Sequence, residues 1–455
     1  MHPTNHVKTS GDRPQIQKAL EPLRAFANNE TSGGIVLLLA AITAMAWVNS
    51  PWGDTYERLW QLSVSIRIGD FLLKKPLLLW INDGLMAMFF FVVGLEMKRE
   101  LLVGELADSR QAVLPITAAI GGMVFPALIY LTFNAESSVR SGWGIPIATD
   151  IAFAIGILAL LGDRVPWSLK VFLIGLAIVD DLGAVLVIAL FYTSDISLGN
   201  LAVGASFLLA LIAANRAGIM HPLVYSILGI GGLWLAFLLS GIHATVAGVL
   251  AAMTIPARTR LSPTELVRKG ERFLARIKTS DPEGEGVLAD RQKAEAAQAL
   301  ELTTALAQTP LQRLEHALQP WVSLVIMPLF ALANAGVLLK TDPATLFNHM
   351  VSLGIIAGLL IGKPAGILLA SWICVRTGFA DLPVGITWRD LCGVSILAGI
   401  GFTMSLFIAN LAFRQESILA LAKMAILFAS LIAGLVGWIL LRRVSTKNVR
   451  TGSYL

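Results

Sequence analysis

Asp180 and Asp181 sit side by side in the middle of an otherwise uncharged run from Val171 to Tyr192. As a helix, that run is long enough to cross the roughly 30 Å hydrocarbon layer of a bilayer. A charge at its centre costs at least about 2.5–3.5 kcal/mol, so carboxylates at such depth normally face a water-filled path or a partner. Two adjacent carboxylates in a low dielectric do not easily hold both negative charges, and protons and a cation then compete for the pair. The chemistry such a pair offers is the trading of a cation for protons. The alternative is hydrogen-bonded helix glue, a task that Ser, Thr or Asn performs at lower cost.

A third carboxylate joins them. Asp150 and Asp180 lie equally far, fifteen residues, on either side of Val165, in the tight turn "GDRVP". In an antiparallel helix pair they reach the same depth, roughly 18–20 Å into the layer. Ala177 and Ala184, about one turn from the aspartates, let another backbone approach closely. The span carrying Asp150, "GWGIPIATDIAFAIG", is interrupted by Gly144 and Pro146, and the late span "CGVSILAGIGFTMSLFIAN" by Gly399 and Gly401. Both interruptions run into a similar pattern, Thr149-Asp150 in one and Thr403-Met404-Ser405 in the other. Paired interrupted spans mark the ion site in transporters built from inverted repeats. If the two cross near the midplane, helix N-termini and C-termini meet there and leave partial charges in hydrocarbon. Asp150 can offset the positive ends and Lys363, in "GIIAGLLIGKPAGILLA", the negative ones; a salt bridge from Lys363 to Asp180 that breaks when an ion arrives is a second possible role.

The elements that must position these groups are membrane helices. Of 455 residues 56% are hydrophobic and only 14% charged, against about 25% charged in soluble proteins. About twelve spans are expected, near 33–50, 77–97, 111–134, 143–162, 168–193, 199–214, 222–238, 240–256, 319–338, 353–375, 391–413 and 417–441, in an all-α polytopic fold with inverted-topology repeats. An even number puts both termini on one side. Lys98, Arg99, Arg110, Arg164, Arg216, Arg442 and other basic residues collect there, which predicts that side to be the cytoplasm. The net charge of +5 reads as loop asymmetry and not as nucleic-acid binding. Residues 1–30 and 442–455 are expected as cytoplasmic tails, 31–256 and 314–441 as two blocks of spans, and 257–313 as a partly helical cytoplasmic insertion. "LSVSIRIG" alternates with a period of two and Gly69-Asp70 offers a turn, so an external hairpin near 60–75 is predicted, with an edge suited to pairing with a second copy. Cys374 and Cys392 are expected to be packing residues.

Taken together, "LLWINDGLMAMFFFVVGLEMKREL", "GIPIATDIAFAIGILALLGDRVP", "LAIVDDLGAVLVIALFYT", "SGIHATVAGVL", "RLEHALQPWV", "GIIAGLLIGKPAGI" and "GIGFTMSLFIANLAF" resemble, in order, the NhaA family of bacterial sodium/proton antiporters. The resemblance covers nearly all of 31–256 and 314–440. It implies that Asp180 and Asp181 bind sodium or lithium and protons, that Asp150 and Lys363 balance crossed helix ends with Thr149 in support, and that no cofactor is needed. It further implies a homodimer in a bacterial inner membrane and a pH-sensing group at the cytoplasmic mouth matching Glu96, Arg99, Glu100, Glu315 and His243. Electrogenic exchange is expected from the pair itself, since one sodium ion displaces up to two protons from two adjacent carboxylates. The insertion 257–313 departs from the compact connection typical of that family and leads directly into Glu315.

Two other classes also use membrane carboxylates. An intramembrane aspartyl protease carries one aspartate in a Gly-x-Gly-Asp element, whereas Ala148-Thr149 precede Asp150. A cation channel relies on rings of acids at a constriction and has no need of a midplane lysine. A cofactor-dependent enzyme would show a glycine loop for phosphate or a metal-spaced His/Cys cluster, and neither pattern occurs.

Overall fold

The computed structural model describes residues 30–193, 196–259, 308–338 and 343–443, with a few positions between 265 and 272. The N-terminal tail, most of the insertion and nearly all of the C-terminal tail lie outside the described residues. All twelve expected spans have a helical counterpart. The first is α1 (Glu30–Val48), which bends through 113° into α2 (Gly53–Gln61), an amphipathic helix the hydropathy pattern did not announce. The hairpin follows: β1 (Ser63–Ile68) pairs antiparallel with β2 (Phe71–Pro76), Ile68 opposite Phe71, around Gly69 at φ 59°. Only glycine takes that left-handed conformation without strain, which fixes the register. Val64, Ile66 and Leu72 of the hairpin are exposed.

The chain continues through α3 (Leu77–Val103), α4 (Ser109–Phe133), a 3-10 segment Ser141–Ile147 leading to α5 (Ile151–Leu161), and α6 (Trp167–Phe191). Next come α7 (Leu198–Arg216), α8 (Pro222–Ser240) and the shorter apolar α9 (Ala244–Thr254). The second block holds α10 (Pro310–Asn334), α11 (Met350–Arg376), the pair α12 (Trp388–Leu397) and α13 (Phe402–Ala412) bent by 47°, and α14 (Glu416–Arg442). Apolar residues run all round most of these helices, as a bilayer solvent requires.

Several spans loosen into π-helical turns, and proline explains two of them. Val322–Ile326 precedes Pro328, and Gly358–Gly362 precedes Pro364. A proline has no N–H to give and its ring crowds the carbonyl one turn back, so the ladder slips there. Pro364 directly follows Lys363, so the slipped turn helps to aim the lysine. The largest core cluster gathers around α6, the second halves of the interrupted spans and α11, with Phe172, Leu173, Leu359, Ile400 and Phe407 all buried. The twelfth-span helix α14 packs on this group through Ala425, Ala429 and Ala433, whose small side chains let the backbones approach. Cys374 is buried, Cys392 partly so, and both are free thiols.

Candidate functional site

The two interruptions meet. Three extended residues, 148–150, separate the 3-10 segment from α5, and four, 398–401, separate α12 from α13. Backbone groups freed by these breaks need partners in a dry interior, and each break supplies the other's. The Asp150 N–H donates to the Ile400 carbonyl at 2.7 Å, and the Thr149 hydroxyl donates to the Ala398 carbonyl at 2.9 Å. The Ser405 hydroxyl donates to the Ile145 carbonyl at 2.7 Å. Gly399 is needed for the approach: a Cβ there would stand 2.5 Å from the Leu359 carbonyl oxygen.

Asp150 lies at the centre of the crossing, 1% exposed. Its Oδ1 accepts the Phe153 N–H at 3.0 Å and so caps α5. Its Oδ2 accepts the Thr403 N–H at 3.0 Å and the Thr403 hydroxyl, in the first turn of α13. One carboxylate thus answers the positive ends of two helices. Thr403 carried a signal in the sequence, the matched Thr pattern at both breaks, but its direct bond to Asp150 is visible only in three dimensions.

Asp180 and Asp181 are buried in α6, and Lys363 is buried in α11. The Lys363 ammonium donates to Asp180 Oδ2 at 2.6 Å and to the Ile147 carbonyl, the C-terminal end of the 3-10 segment. It therefore occupies both of its expected places at once, helix end and ion pair. Thr149 stands against Asp180, and Asp181 is in electrostatic contact with Asp180, Asp150, Glu96 and Lys363. Among the described residues, Asp180 Oδ1 and Asp181 Oδ1 are buried without a hydrogen-bond partner. Native interiors rarely leave such acceptors unanswered, and where they do the oxygens are ready for a cation or a proton.

At the C-terminal end of α3, Arg99 joins Glu315 at 3.0 Å, across a gap of more than two hundred residues in sequence, and its neighbour Glu100 at 2.8 Å. Glu96 lies within electrostatic range of Glu315, Arg99 and Glu100, and of Asp181 on the other side. His243 is not brought to that cluster. It caps α9 at the opposite end of α3, 3.7 Å from Asp83, which pairs with Lys75 of the hairpin at 2.8 Å, and its ring packs edge-on against Phe407 of α13. Asp83 and Lys75 were not among the expected site residues, since nothing in their local spacing marks them.

Residues 24–441 match the family described as Na+/H+ antiporter 1. The chain belongs to that family. Among curated relatives, "Na(+)/H(+) antiporter NhaA" of Oleidesulfovibrio alaskensis is 51% identical over 438 residues, 96% of this chain and 97% of that protein. "Na(+)/H(+) antiporter NhaA 2" of Syntrophotalea carbinolica is 50% identical, covering 94% and 98%. "Na(+)/H(+) antiporter NhaA 1" of Saccharophagus degradans is 46% identical, covering 97% and 95%. In this Na+/H+ antiporter family member the similarity runs through both interrupted spans and the aspartate helix, and it spans the long segment between α9 and α10.

Proposed function

We propose that this member of a sodium/proton antiporter family carries its cargo on Asp180 and Asp181, binding sodium, or lithium, at the cytoplasmic face as protons leave the pair, and releasing it at the opposite face as protons bind there in its place. The observation that carries this reading is the pair of adjacent buried carboxylates, each with an unpartnered oxygen, beside the crossing of two interrupted spans. A cation entering between them competes with protons for both groups and with Lys363 for Asp180, so ion loading opens the Lys363–Asp180 pair. Thr149 adds a hydroxyl beside Asp180, while Asp150 and Lys363 hold the helix ends in place. Because both aspartates can take a proton while one monovalent cation leaves, each cycle moves net charge. The charge cluster of Arg99, Glu100 and Glu315, with Glu96 in electrostatic range, supports a cytoplasmic pH sensor, and His243 stands apart from it beside Asp83.

Lysine and arginine asymmetry supports an inner-membrane protein with both termini, the insertion 257–313 and the two tails in the cytoplasm. The exposed hairpin strands support a homodimer on the opposite side. Reconstituted vesicles test the assignment of roles. Sodium addition to wild type should drive proton counterflow, and Asp180→Asn and Asp181→Asn should each abolish it while still inserting, since an amide keeps the shape and cannot release a proton. Wild-type rates in either variant would remove that residue from the site.

A further inference from the structure

A groove of about 450 Å³ opens sideways between α4 and α6, in the range of small-molecule sites. Its walls are Met123, Ala127, Leu128 and Leu131 of α4 with Val187 and Phe191 of α6. The α4 residues recur at helical spacing over eight positions, so the groove runs roughly 12 Å inward from the end of the helix. Leu128 and Phe191 are more than half exposed on its lips. Its mouth lies beside the short helix Ser137–Arg140, between the third and fourth spans, hence at the membrane face opposite the termini. Arg140 and Trp143 line that mouth. Arg140 is exposed, and among the described residues its guanidinium has no carboxylate partner.

We propose that this groove binds one anionic phospholipid of the leaflet opposite the termini, its phosphate on Arg140 and one acyl chain along the aliphatic walls. The chemistry is complementary at each level. An unpaired guanidinium at the interface recognises a phosphate, Trp143 stands where amphipathic rings sit at the headgroup level, and below them the walls offer only apolar atoms. The inner end of the groove is one side-chain layer from the ion site. Met123 packs directly on Gly183, two residues beyond Asp181, where a Cβ would overlap its sulfur. Ile147, also lining the groove, gives its carbonyl to Lys363. An acyl chain seated there braces the 3-10 segment against α4 and α6, and so steadies the first interrupted span.

Purified full-length protein in detergent provides the test, with lipid retention counted by native mass spectrometry and the thermal midpoint read in parallel. The probes are palmitoyl-oleoyl phosphatidylglycerol and the diacylglycerol with the same chains but no phosphate. Wild type should retain phosphatidylglycerol roughly fivefold better than diacylglycerol, the ratio set by about 1 kcal/mol per basic residue at an anionic surface. Arg140→Gln, at an exposed position, should bring phosphatidylglycerol down to the diacylglycerol level. Ala127→Phe, which fills the groove, should lose both, and Leu128→Trp on the lip serves if that variant does not fold. Equal retention of phosphatidylglycerol by wild type and Arg140→Gln would overturn the proposal, as would full retention when the groove is filled, whether the lipid then sits elsewhere or a second copy of the chain covers this face.

Discussion

Replacing Asp150 with alanine removes a single side chain and strips three donors of their acceptor: the Phe153 N–H, the Thr403 N–H and the Thr403 hydroxyl. A buried donor left unsatisfied is worth about 1–3 kcal/mol, which gives roughly 3–9 kcal/mol for the three. The starts of α5 and α13 lose their counter-charge as well, about 0.3–1 kcal/mol each. Removing a buried carboxylate returns part of this, because its own desolvation is relieved. The expected net loss is about 3–5 kcal/mol. Asp150→Asn keeps one carbonyl oxygen and should lose about half as much. Cys374 is buried, so a thiol-reactive dye that fluoresces as the helices separate on heating reads the unfolding midpoint directly. The order should be wild type, then Asn, then Ala, with transport weakened in both variants and not ended, since Asp180 and Asp181 stay in place. An alanine variant as stable as wild type, or no worse than the asparagine variant, would refute the capping account.

Two further outcomes follow from the same geometry. Lys363→Ala leaves Asp180 buried without its cation and should destabilise by about 3–5 kcal/mol, and adding Asp180→Asn should restore part of that loss, whereas additive losses in the double variant would show the pair is not coupled. Exchange should be electrogenic, responding by roughly 2.3 kcal/mol per net charge per 100 mV, so collapsing the potential with valinomycin and potassium should speed sodium-driven proton flux; a rate indifferent to the clamp would mean one-for-one exchange.

Much of this was legible in the chain because hydrocarbon is an unforgiving solvent. Long apolar runs have only one use in it, so each of the twelve expected spans has a helix, and carboxylates inside a run stand out without any alignment. Counting outward from "GDRVP" placed Asp150 and Asp180 in one layer, since helical rise is constant. Glycine and proline at 144, 146, 399 and 401 marked both breaks. What stayed hidden depends on packing between distant segments. The Arg99–Glu315 pair, the Thr403–Asp150 bond and the position of His243 beside Asp83 join residues whose spacing carries no period. The bend after Val48 was also missed, because α2 is amphipathic and short and leaves little trace in a hydropathy window.

The most direct test of the central claim is proton release on sodium binding, measured with purified protein in weakly buffered detergent solution under conditions where the aspartate pair is protonated. Adding sodium chloride, against a potassium chloride control, should release protons from wild type in proportion to the sodium bound, up to two for each ion. Asp181→Asn should release markedly fewer and bind sodium more weakly. Sodium binding without proton release in wild type, or an unchanged release in Asp181→Asn, would contradict competition of sodium and protons for this pair.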